Sequence, residues 1–304
     1  MENETSQTRH LPSAPSHPRR VSFAGTPDDA VPALRALAMA GFEIPVVVTG
    51  TPRRRSRRGS DSPSPVAMAA NELGLPISYD PDDLAEGAAD CAVVVAFGRL
   101  ISAHLLAQLP MLNLHFSLLP RWRGAAPVER ALLEGDEFAG VSLMALEATL
   151  DTGPVYWRCE APIGPADTAA SLRDRLAHEG ADRLVASLTE GLSTPELQQG
   201  DPTYARKLTA ADREIDWSQP AAHIDRQIRV GGAWTTLDGQ RFIVRAGTPL
   251  ATTQETPPAT LVGDTVVTGD GLIRLGVVQP AGRAAIDAGD WLRGARLAPG
   301  TRFG

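Results

Sequence analysis

Three polar side chains have the types and the spacing needed for acyl transfer to an amine. Asn113 and His115 are two residues apart in a predicted strand, so both side chains lie on the same face of the sheet. Asp151 ends a segment after a later predicted strand, just before Gly153-Pro154, a pair that predicts a tight turn. Asparagine can donate a hydrogen bond to a developing oxyanion, histidine can move a proton near neutral pH, and a carboxylate can orient that histidine. Such a set requires no covalent intermediate and no metal.

The same residues also have a purely structural interpretation. Asn113 and His115 fit hydrogen-bonded polar residues of a half-buried strand, and Asp151 fits a turn former. Spacing alone does not separate the two interpretations. In an open α/β sheet, however, ligands bind outside the carboxyl ends of the strands, and the predicted loop Ser117-Leu118-Leu119-Pro120 follows Asn113 and His115 at such an end.

The elements that must position these residues alternate between strand and helix, which predicts an open, Rossmann-like, mostly parallel α/β sheet. Continuous apolar runs indicate strands that are covered on both faces. The predicted strands are Val21–Ala24, Ile44–Thr49, Cys91–Phe97, Leu112–Phe116 and Val141–Glu147. The predicted helices are one that Asp28 or Asp29 caps and Gly41 stops, then Pro65–Leu73, Ser102–Leu109, Ala126–Glu134 and Thr168–Glu190, the last capped by Asp167 or Thr168.

The C-terminal third of the chain has a different character. A predicted helix at Ala221–Val230 precedes two β-rich runs that flank Asp238-Gly239, a dipeptide that accepts the positive φ of a type I′ hairpin turn. Three more strand-like runs follow, which predicts a small OB-like β-barrel. We therefore predict a disordered tail over 1–20, an α/β catalytic domain over 21–191, a linker over 192–211 and a β-barrel domain over 212–304.

Composition excludes several classes of protein. The 304 residues include only two cysteines, far apart, which excludes a disulfide framework and a cysteine zinc site. No apolar run approaches the roughly 20 residues that span a bilayer, and Met1–Arg20 lacks the apolar region of a signal peptide, so we expect a soluble, cytoplasmic protein and, by default, a monomer. Neither GxGxxG nor GxxxxGK[ST] is present, which argues against a nicotinamide cofactor or a bound nucleotide.

One short segment is strongly basic although the formal net charge is −7. Five arginines stand within residues 53–59, in a predicted loop between a strand and a helix. They are Arg53, Arg54, Arg55, Arg57 and Arg58. Because arginine binds phosphates in bidentate fashion, this loop is the candidate for contact with a nucleic acid. A solvated charge run without a partner is the alternative.

The run NLHFSLLPRWRGAAPVERALLEGDEFAGVSLMALEATLDTGPVY, from Asn113 to Tyr156, resembles the signature region of the 10-formyltetrahydrofolate-dependent formyltransferases. FAGTP at Phe23–Pro27, VVVAFGRLI at Val93–Ile101 and TYARKL at Thr203–Leu208 extend the resemblance along nearly the whole chain. SLLPRWRGAAP is similar to the members of this family that act on methionyl-tRNA. The resemblance implies transfer of a formyl group from 10-formyltetrahydrofolate to the amino group of methionyl-initiator tRNA.

The resemblance also implies roles for the site residues. Asn113 and a protonated His115 would stabilise the oxyanion, and Asp151 would set the imidazole and assist proton removal through water. The folate would contact Ser117, Leu118, Leu119 and Pro120 and the backbone of Phe97, Gly98, Arg99 and Leu100, although Leu118 and Leu119 also fit core packing. The tRNA would contact the five loop arginines, while Arg121 and Arg123 either reach its terminal nucleotides or hold their own loop to the surface.

Several competing functions are open at this point. A sugar-nucleotide N-formyltransferase shares the fold and the three polar residues, but it would not need the arginine run. A glycinamide ribonucleotide formyltransferase would be a single domain of about two-thirds this length, and a formyltetrahydrofolate hydrolase would need neither the arginine run nor the second domain. An RNA-binding protein on a former enzyme scaffold would have no use for Asn113, His115 and Asp151 together.

Overall fold

The computed structural model describes residues 12–54, 61–252 and 255–304. Its strands, in chain order, are β1 (Val21–Gly25), β2 (Val47–Val48), β3 (Arg53–Arg54), β4 (Asp61–Ser62), β5 (Ile77–Ser78), β6 (Cys91–Val95), β7 (Met111–His115), β8 (Arg123–Gly124), β9 (Phe138–Ala145), β10 (Val155–Pro162), β11 (Tyr204–Ala205), β12 (Trp234–Leu237), β13 (Gln240–Leu250), β14 (Leu261–Val262), β15 (Thr265–Val267), β16 (Leu272–Pro280) and β17 (Ile286–Asp287).

The helices are α1 (Val31–Met39), α2 (Pro65–Glu72), α3 (Ala103–Gln108), α4 (Pro127–Glu134), α5 (Ala169–Glu190), α6 (Ala221–Val230) and α7 (Ala288–Gly294). In the part of the chain that the structure describes, none of them is long and apolar enough to cross a membrane. The chain divides into two compact units. The first holds the described residues up to Gly124 with Gly140–Ala161 and Arg173–Tyr204, and the second holds Ala125–Ala139, Pro162–Leu172 and Ala205–Gly304.

A seven-stranded sheet, almost wholly within the first unit, has the order β10-β9-β7-β6-β1-β2-β5. The five strands from β7 to β5 run parallel, and β9 pairs antiparallel with β7. Every residue of β1 and β6 is buried, as expected for strands that are covered on both faces. The predicted α/β fold, a mostly parallel sheet followed by a smaller β domain, is confirmed.

Parallel pairing places the carboxyl ends of β6 and β7 side by side. Val94 of β6 lies opposite Asn113 of β7. After β6 the chain turns through Ala96 and Gly98, which have φ values of 44° and 70°. The residues that follow the two strands therefore share one edge of the sheet, where ligands bind in folds of this kind.

Two local predictions are wrong, and one strand was not predicted. The apolar run Ile44–Thr49 forms a strand only at Val47–Val48, because Pro45 has no amide hydrogen and interrupts the ladder beside β1. Neither Asp28 nor Asp29 caps α1, since the chain enters this helix through a 3₁₀ turn at Asp28–Ala30 and no side chain caps it. Strand β10 was not expected, because its apolar residues alternate with charged ones at the edge of the sheet.

Other helix starts follow from their sequences. Ser102 Oγ accepts a hydrogen bond from Leu105 N (3.1 Å) at the start of α3. Thr168, one of the two residues proposed to cap α5, accepts a hydrogen bond from Ser171 N at 3.1 Å. Such caps satisfy amides that the first turn of a helix leaves without a carbonyl partner.

An antiparallel sheet organises the second unit. Its order is β12-β13-β16-β15-β14, with β17 added beside β16. Asp238 and Gly239, between β12 and β13, have φ values of 50° and 71°, which confirms the predicted hairpin turn. The ring of Phe242 packs on Trp291 (4.8 Å between centroids) and on Phe303 (5.2 Å), at the centre of the apolar core.

A buried ion pair fixes Asp212 in the second unit. Arg130 of α4 donates to this carboxylate at 3.0 Å, and Arg206 donates to both oxygens at 2.7 and 2.9 Å. The amide and hydroxyl of Thr209 donate as well, at 2.8 and 2.7 Å. Burial by itself raises the pKa of Asp212, but the hydrogen bonds from Thr209, Arg130 and Arg206 outweigh it and hold the pKa below its ordinary value.

Candidate active site

His115 ends β7 and is held by the main chain at one ring nitrogen. Its Nε2 lies 2.9 Å from the carbonyl oxygen of Trp122. A carbonyl oxygen only accepts hydrogen bonds, so Nε2 carries a proton, and the neutral ring leaves Nδ1 unprotonated. Nδ1 faces Oδ2 of Asp151 at 3.8 Å, a distance that is too long for a hydrogen bond but within the range of an ion pair.

Asn113 lies two residues earlier on the same face of β7, less deeply buried than His115. Its main chain pairs with Met144 of β9. Within the described residues its side-chain amide makes no hydrogen bond to the protein. Since an amide side chain has two donor hydrogens, both are available to an oxygen atom placed beside this strand end.

Asp151 is held in an unusual backbone conformation after β9. Its φ is 51°, in the left-handed region, where residues other than glycine are uncommon although aspartate is tolerated better than most. Its Oδ2 accepts a hydrogen bond from Gly124 N at 2.8 Å, and the residue is only 6% exposed. Gly153 follows with no room for a side chain, because a Cβ there would lie 1.9 Å from Ala145 O. The structure thus brings His115 and Asp151 together, with Asp151 oriented by main-chain groups.

The loop Ser117–Pro120 is fixed at three main-chain atoms. Ser142 of β9 donates to Ser117 O (2.6 Å) and accepts from Leu119 N (3.2 Å). Arg158 of β10 donates to Leu119 O at 2.7 Å. The side chain of Leu119 is buried in the core, and the Leu119–Pro120 peptide is cis. The shape of the loop is therefore set by side chains that lie outside it.

Side chains of the loop Ser117–Pro120 also contact neighbouring residues. Ser117 Oγ donates to Arg121 O at 2.6 Å. Leu118 packs so closely over Gly140 that a Cβ on that glycine would lie 2.4 Å from a Leu118 methyl carbon. Core packing, the alternative interpretation of both leucines, is therefore observed for Leu119, whereas Leu118 is half-buried against Gly140. Neither contact competes with a role for the loop's backbone.

The segment Phe97–Leu100 follows β6 at the same edge of the sheet. Phe97 is buried, and its carbonyl oxygen accepts a hydrogen bond from Thr26 at 3.2 Å. Arg99 donates to Tyr79 O at 2.6 Å, while Leu100 is 96% exposed. Gly98 has a positive φ and no atom near the position of a Cβ, so this turn leaves open space above the strand end.

The sequence-predicted arginines fall into three groups. Arg53 and Arg54 form the short strand β3, which pairs with β4, and both side chains are exposed. Arg55, Arg57 and Arg58 lie outside the described residues. Arg121 stacks over the Trp122 ring at 4.6 Å, whereas Arg123 donates two hydrogen bonds to Gln198. For Arg123, the contact that the structure describes is within the protein.

Several residues that shape the site gave no usable sequence signal. The Trp122 carbonyl belongs to the main chain, so no side chain encodes it. Gln198 stands in a segment that composition predicts to be a linker, yet it contacts the Asp151 turn. Ser142 was detectable, because it is a buried hydroxyl inside an otherwise apolar strand, and such a group needs a hydrogen-bond partner.

Two other features lie apart from these residues. No group of three histidine, cysteine, aspartate or glutamate side chains that could hold a metal ion occurs in the described ranges. A cavity of about 660 Å³ in the second unit is lined by the β12–β13 turn, the β16–β17 turn and α7. None of the residues that carry the chemistry proposed above lines it.

Two family models match the chain. The model described as "Formyl transferase" matches residues 20–188, and "Formyl transferase, C-terminal domain" matches residues 207–296. The methionyl-tRNA formyltransferase of Acidothermus cellulolyticus is 44% identical over 324 residues, covering 93% of this chain and 99% of that protein. The methionyl-tRNA formyltransferase of Jannaschia sp. is 44% identical over 298 residues, with coverage of 93% and 99%.

Solved structures share the fold at lower identity. HypX from Aquifex aeolicus in complex with tetrahydrofolic acid has a TM-score of 0.63 and 17% identity, over 93% of this chain and 49% of that chain. WlaRD, a sugar 3N-formyl transferase, has a TM-score of 0.63 and 17% identity, over 87% of this chain and 98% of that chain.

Proposed function

The chain belongs to the formyl transferase family, and on that premise we propose how it acts as a formyltransferase on methionyl-tRNA. The reaction is transfer of a formyl group from 10-formyltetrahydrofolate to the amino group of methionine carried by initiator tRNA. The observation that carries this proposal is the pairing of His115 with Asp151 on the strand that also carries Asn113, whose side-chain amide makes no hydrogen bond within the described part of the chain. It occurs in a chain that is 44% identical, over 93% of its length, to a relative named for this activity.

The chemistry follows from what each side chain can do. The methionyl nitrogen forms a bond to the formyl carbon, the bond from that carbon to N10 of the folate breaks, and N10 gains a proton. Asn113 donates to the formyl oxygen as negative charge develops on it, and a protonated His115 adds its positive charge. Asp151 stabilises the charged imidazole and assists loss of the amine proton through water.

The formyl donor, a folate, supplies the activated one-carbon group. We place its pterin against the loop Ser117–Pro120 and the main chain of Phe97–Leu100. The anchored loop supports this placement, because a backbone held by Ser142 and Arg158 presents its groups without rearrangement. Phe97 O already accepts from Thr26, so recognition in the second segment falls to the main chain of Gly98, Arg99 and Leu100.

The tRNA partner is assigned to the basic run that includes Arg53 and Arg54. Both side chains are exposed, and their charge is local in a chain whose net charge is −7. Neutralisation of phosphates by such a run releases counterions and makes binding depend on salt. We assign contact with the tRNA to Arg55, Arg57, Arg58 and Arg121 as well. That the protein acts as a cytoplasmic monomer stays a prediction.

The test is formyl transfer by purified protein with three acceptors: methionyl-initiator tRNA, free methionine and an amino-sugar nucleotide. We expect transfer to the charged tRNA only. Transfer to the sugar alone would keep the site chemistry and overturn the tRNA partner, whereas no transfer to any acceptor would overturn the enzyme activity itself.

Variants separate the chemistry from tRNA binding. His115→Ala should lower kcat by about 1000-fold and leave tRNA affinity unchanged, because general acid–base groups contribute on the order of 10²- to 10⁴-fold. His178→Ala, an exposed histidine on α5, is the matched control and should behave as wild type. Replacing the five loop arginines with glutamine should raise KM for tRNA and flatten its dependence on salt. Equal loss of tRNA binding in both sets would contradict the separation.

A further inference from the structure

Gln198 uses its whole side-chain amide to connect two segments of the first unit. Its Nε2 donates to Asp151 O (2.8 Å) and to Gly153 O (2.9 Å). Its Oε1 accepts from Nε and Nη2 of Arg123, at 3.1 and 2.7 Å. Carbonyl oxygens only accept and a guanidinium only donates, so the amide fits in one orientation.

These bonds hold Asp151 where its own backbone preference would not. A residue other than glycine is strained in the left-handed region and persists there only when its surroundings enforce it. Gln198 grips the turn at Asp151 and at Gly153, on both sides of Thr152. The segment that carries Gln198 is itself fixed, because Glu196 and Val155 exchange two main-chain hydrogen bonds, at 2.7 and 2.9 Å.

The hydrogen bonds form a closed circuit. Arg123 binds Gln198, Gln198 binds the Asp151 main chain, and the Asp151 carboxylate accepts from Gly124, which directly follows Arg123 in the chain. The carboxylate that faces His115 is therefore fixed at both ends, by its backbone and by its oxygen. Displacing any member of the circuit moves that oxygen relative to Nδ1 of His115.

We propose that Gln198 and Arg123 are positioning residues for formyl transfer, acting through Asp151 on His115. This proposal rests on the proposed function. Of the two roles that the sequence leaves open for Arg123, it departs from contact with tRNA, because two of the three guanidinium nitrogens are engaged by Gln198.

The first test is Gln198→Ala. Loss of the amide frees the Asp151 turn, so kcat should fall roughly 10- to 100-fold while KM for the formyl donor and for tRNA change by less than about threefold. Gln199→Ala, the exposed neighbour, is the matched control and should be unchanged. A variant whose only defect is a lower Tm, with kcat of the folded enzyme intact, would overturn the proposal.

A double-mutant cycle separates positioning from tRNA contact. If Arg123 acts through Gln198, Arg123→Ala lowers kcat in the wild-type background but has little further effect in Gln198→Ala, and Arg123→Lys restores part of the loss. If Arg123 instead binds tRNA, the substitution raises KM for tRNA by the same factor in both backgrounds and flattens the salt dependence, and the proposal fails.

A readout independent of catalysis tells failure of this inference from failure of the proposed function. The Gly124 amide donates to Asp151, so its hydrogen exchange, followed by NMR of the full chain, should quicken in Gln198→Ala and stay slow in Gln199→Ala. Unchanged exchange in Gln198→Ala would overturn the coupling. Faster exchange in a protein that formylates no methionyl-tRNA would retain the circuit and reject the function.

Discussion

Replacing Gly153 with alanine should disable catalysis through a main-chain collision. The added Cβ would lie 1.9 Å from Ala145 O and 3.0 Å from the carbon of the same carbonyl. Non-bonded heavy atoms rest at about 3.5 Å, so the turn has to move by more than about 1 Å. The φ of Gly153 lies outside the left-handed region, so an alanine there would be destabilised by the collision and not by backbone strain. Because Gly153 and Asp151 share the Gln198 amide, the shift should be transmitted to the Asp151 carboxylate, the proposed partner of His115.

A misplacement of about 1 Å can cost on the order of 100-fold in rate, which corresponds to roughly 2.7 kcal/mol of transition-state stabilisation. Single-turnover formylation of methionyl-tRNA measures this loss. Titration of the formyl donor should give a Kd within about threefold of wild type, because the anchored Ser117–Pro120 loop is untouched. Gly294→Ala is the control, since a Cβ there meets no atom within 4 Å. Wild-type turnover by the Gly153→Ala enzyme would refute the claim that the Asp151 turn must be placed this closely.

Two further predictions concern the loop and the second unit. Ser142→Ala leaves Ser117 O and Leu119 N without their partner, so KM for the formyl donor should rise by about tenfold at nearly unchanged kcat; steady-state kinetics that showed a wild-type KM would contradict it. Asp212→Asn should lose on the order of 3 kcal/mol of stability at neutral pH, because Arg130 keeps a buried charge. The pKa of Asp212 is lower in the folded state than its unfolded value of about 3.9, so its carboxylate stabilises the folded protein above that pH. This contribution decreases below the unfolded value and is lost as the pH falls through the folded pKa. The difference in stability between wild type and Asp212→Asn should therefore narrow in acid. Urea unfolding at about pH 7 and pH 3 checks this, and equal deficits would refute it.

The structural features that could be predicted are those that local side chains determine. Continuous apolar strands and Asp238-Gly239 carry their conformations in local sequence, and the structure confirms both the sheet and the hairpin. Two-residue spacing placed Asn113 and His115 on one strand face, as observed. The catalytic, folate and tRNA roles of the site residues stay predictions.

Features that arise from distant main-chain groups were beyond sequence reasoning. The residue type of Trp122 does not indicate that its main-chain carbonyl will accept a hydrogen bond from His115. Gln198 lies in a segment without apolar periodicity, which is the pattern of a linker, and only the fold shows that its amide meets the Asp151 turn. Pro45, in contrast, is evident in the sequence. Its missing amide hydrogen could have shortened the second predicted strand, which begins only at Val47.

The hydrogen bond from Nε2 of His115 to the Trp122 carbonyl limits how protons can travel through the site. A histidine with two free ring nitrogens can act as a proton relay, because it can accept a proton at one nitrogen and release a proton from the other. Here one nitrogen is permanently committed, so the ring must return each proton from the same atom that received it. Any proton that His115 exchanges with the reacting groups must therefore pass through Nδ1, the nitrogen that faces Asp151.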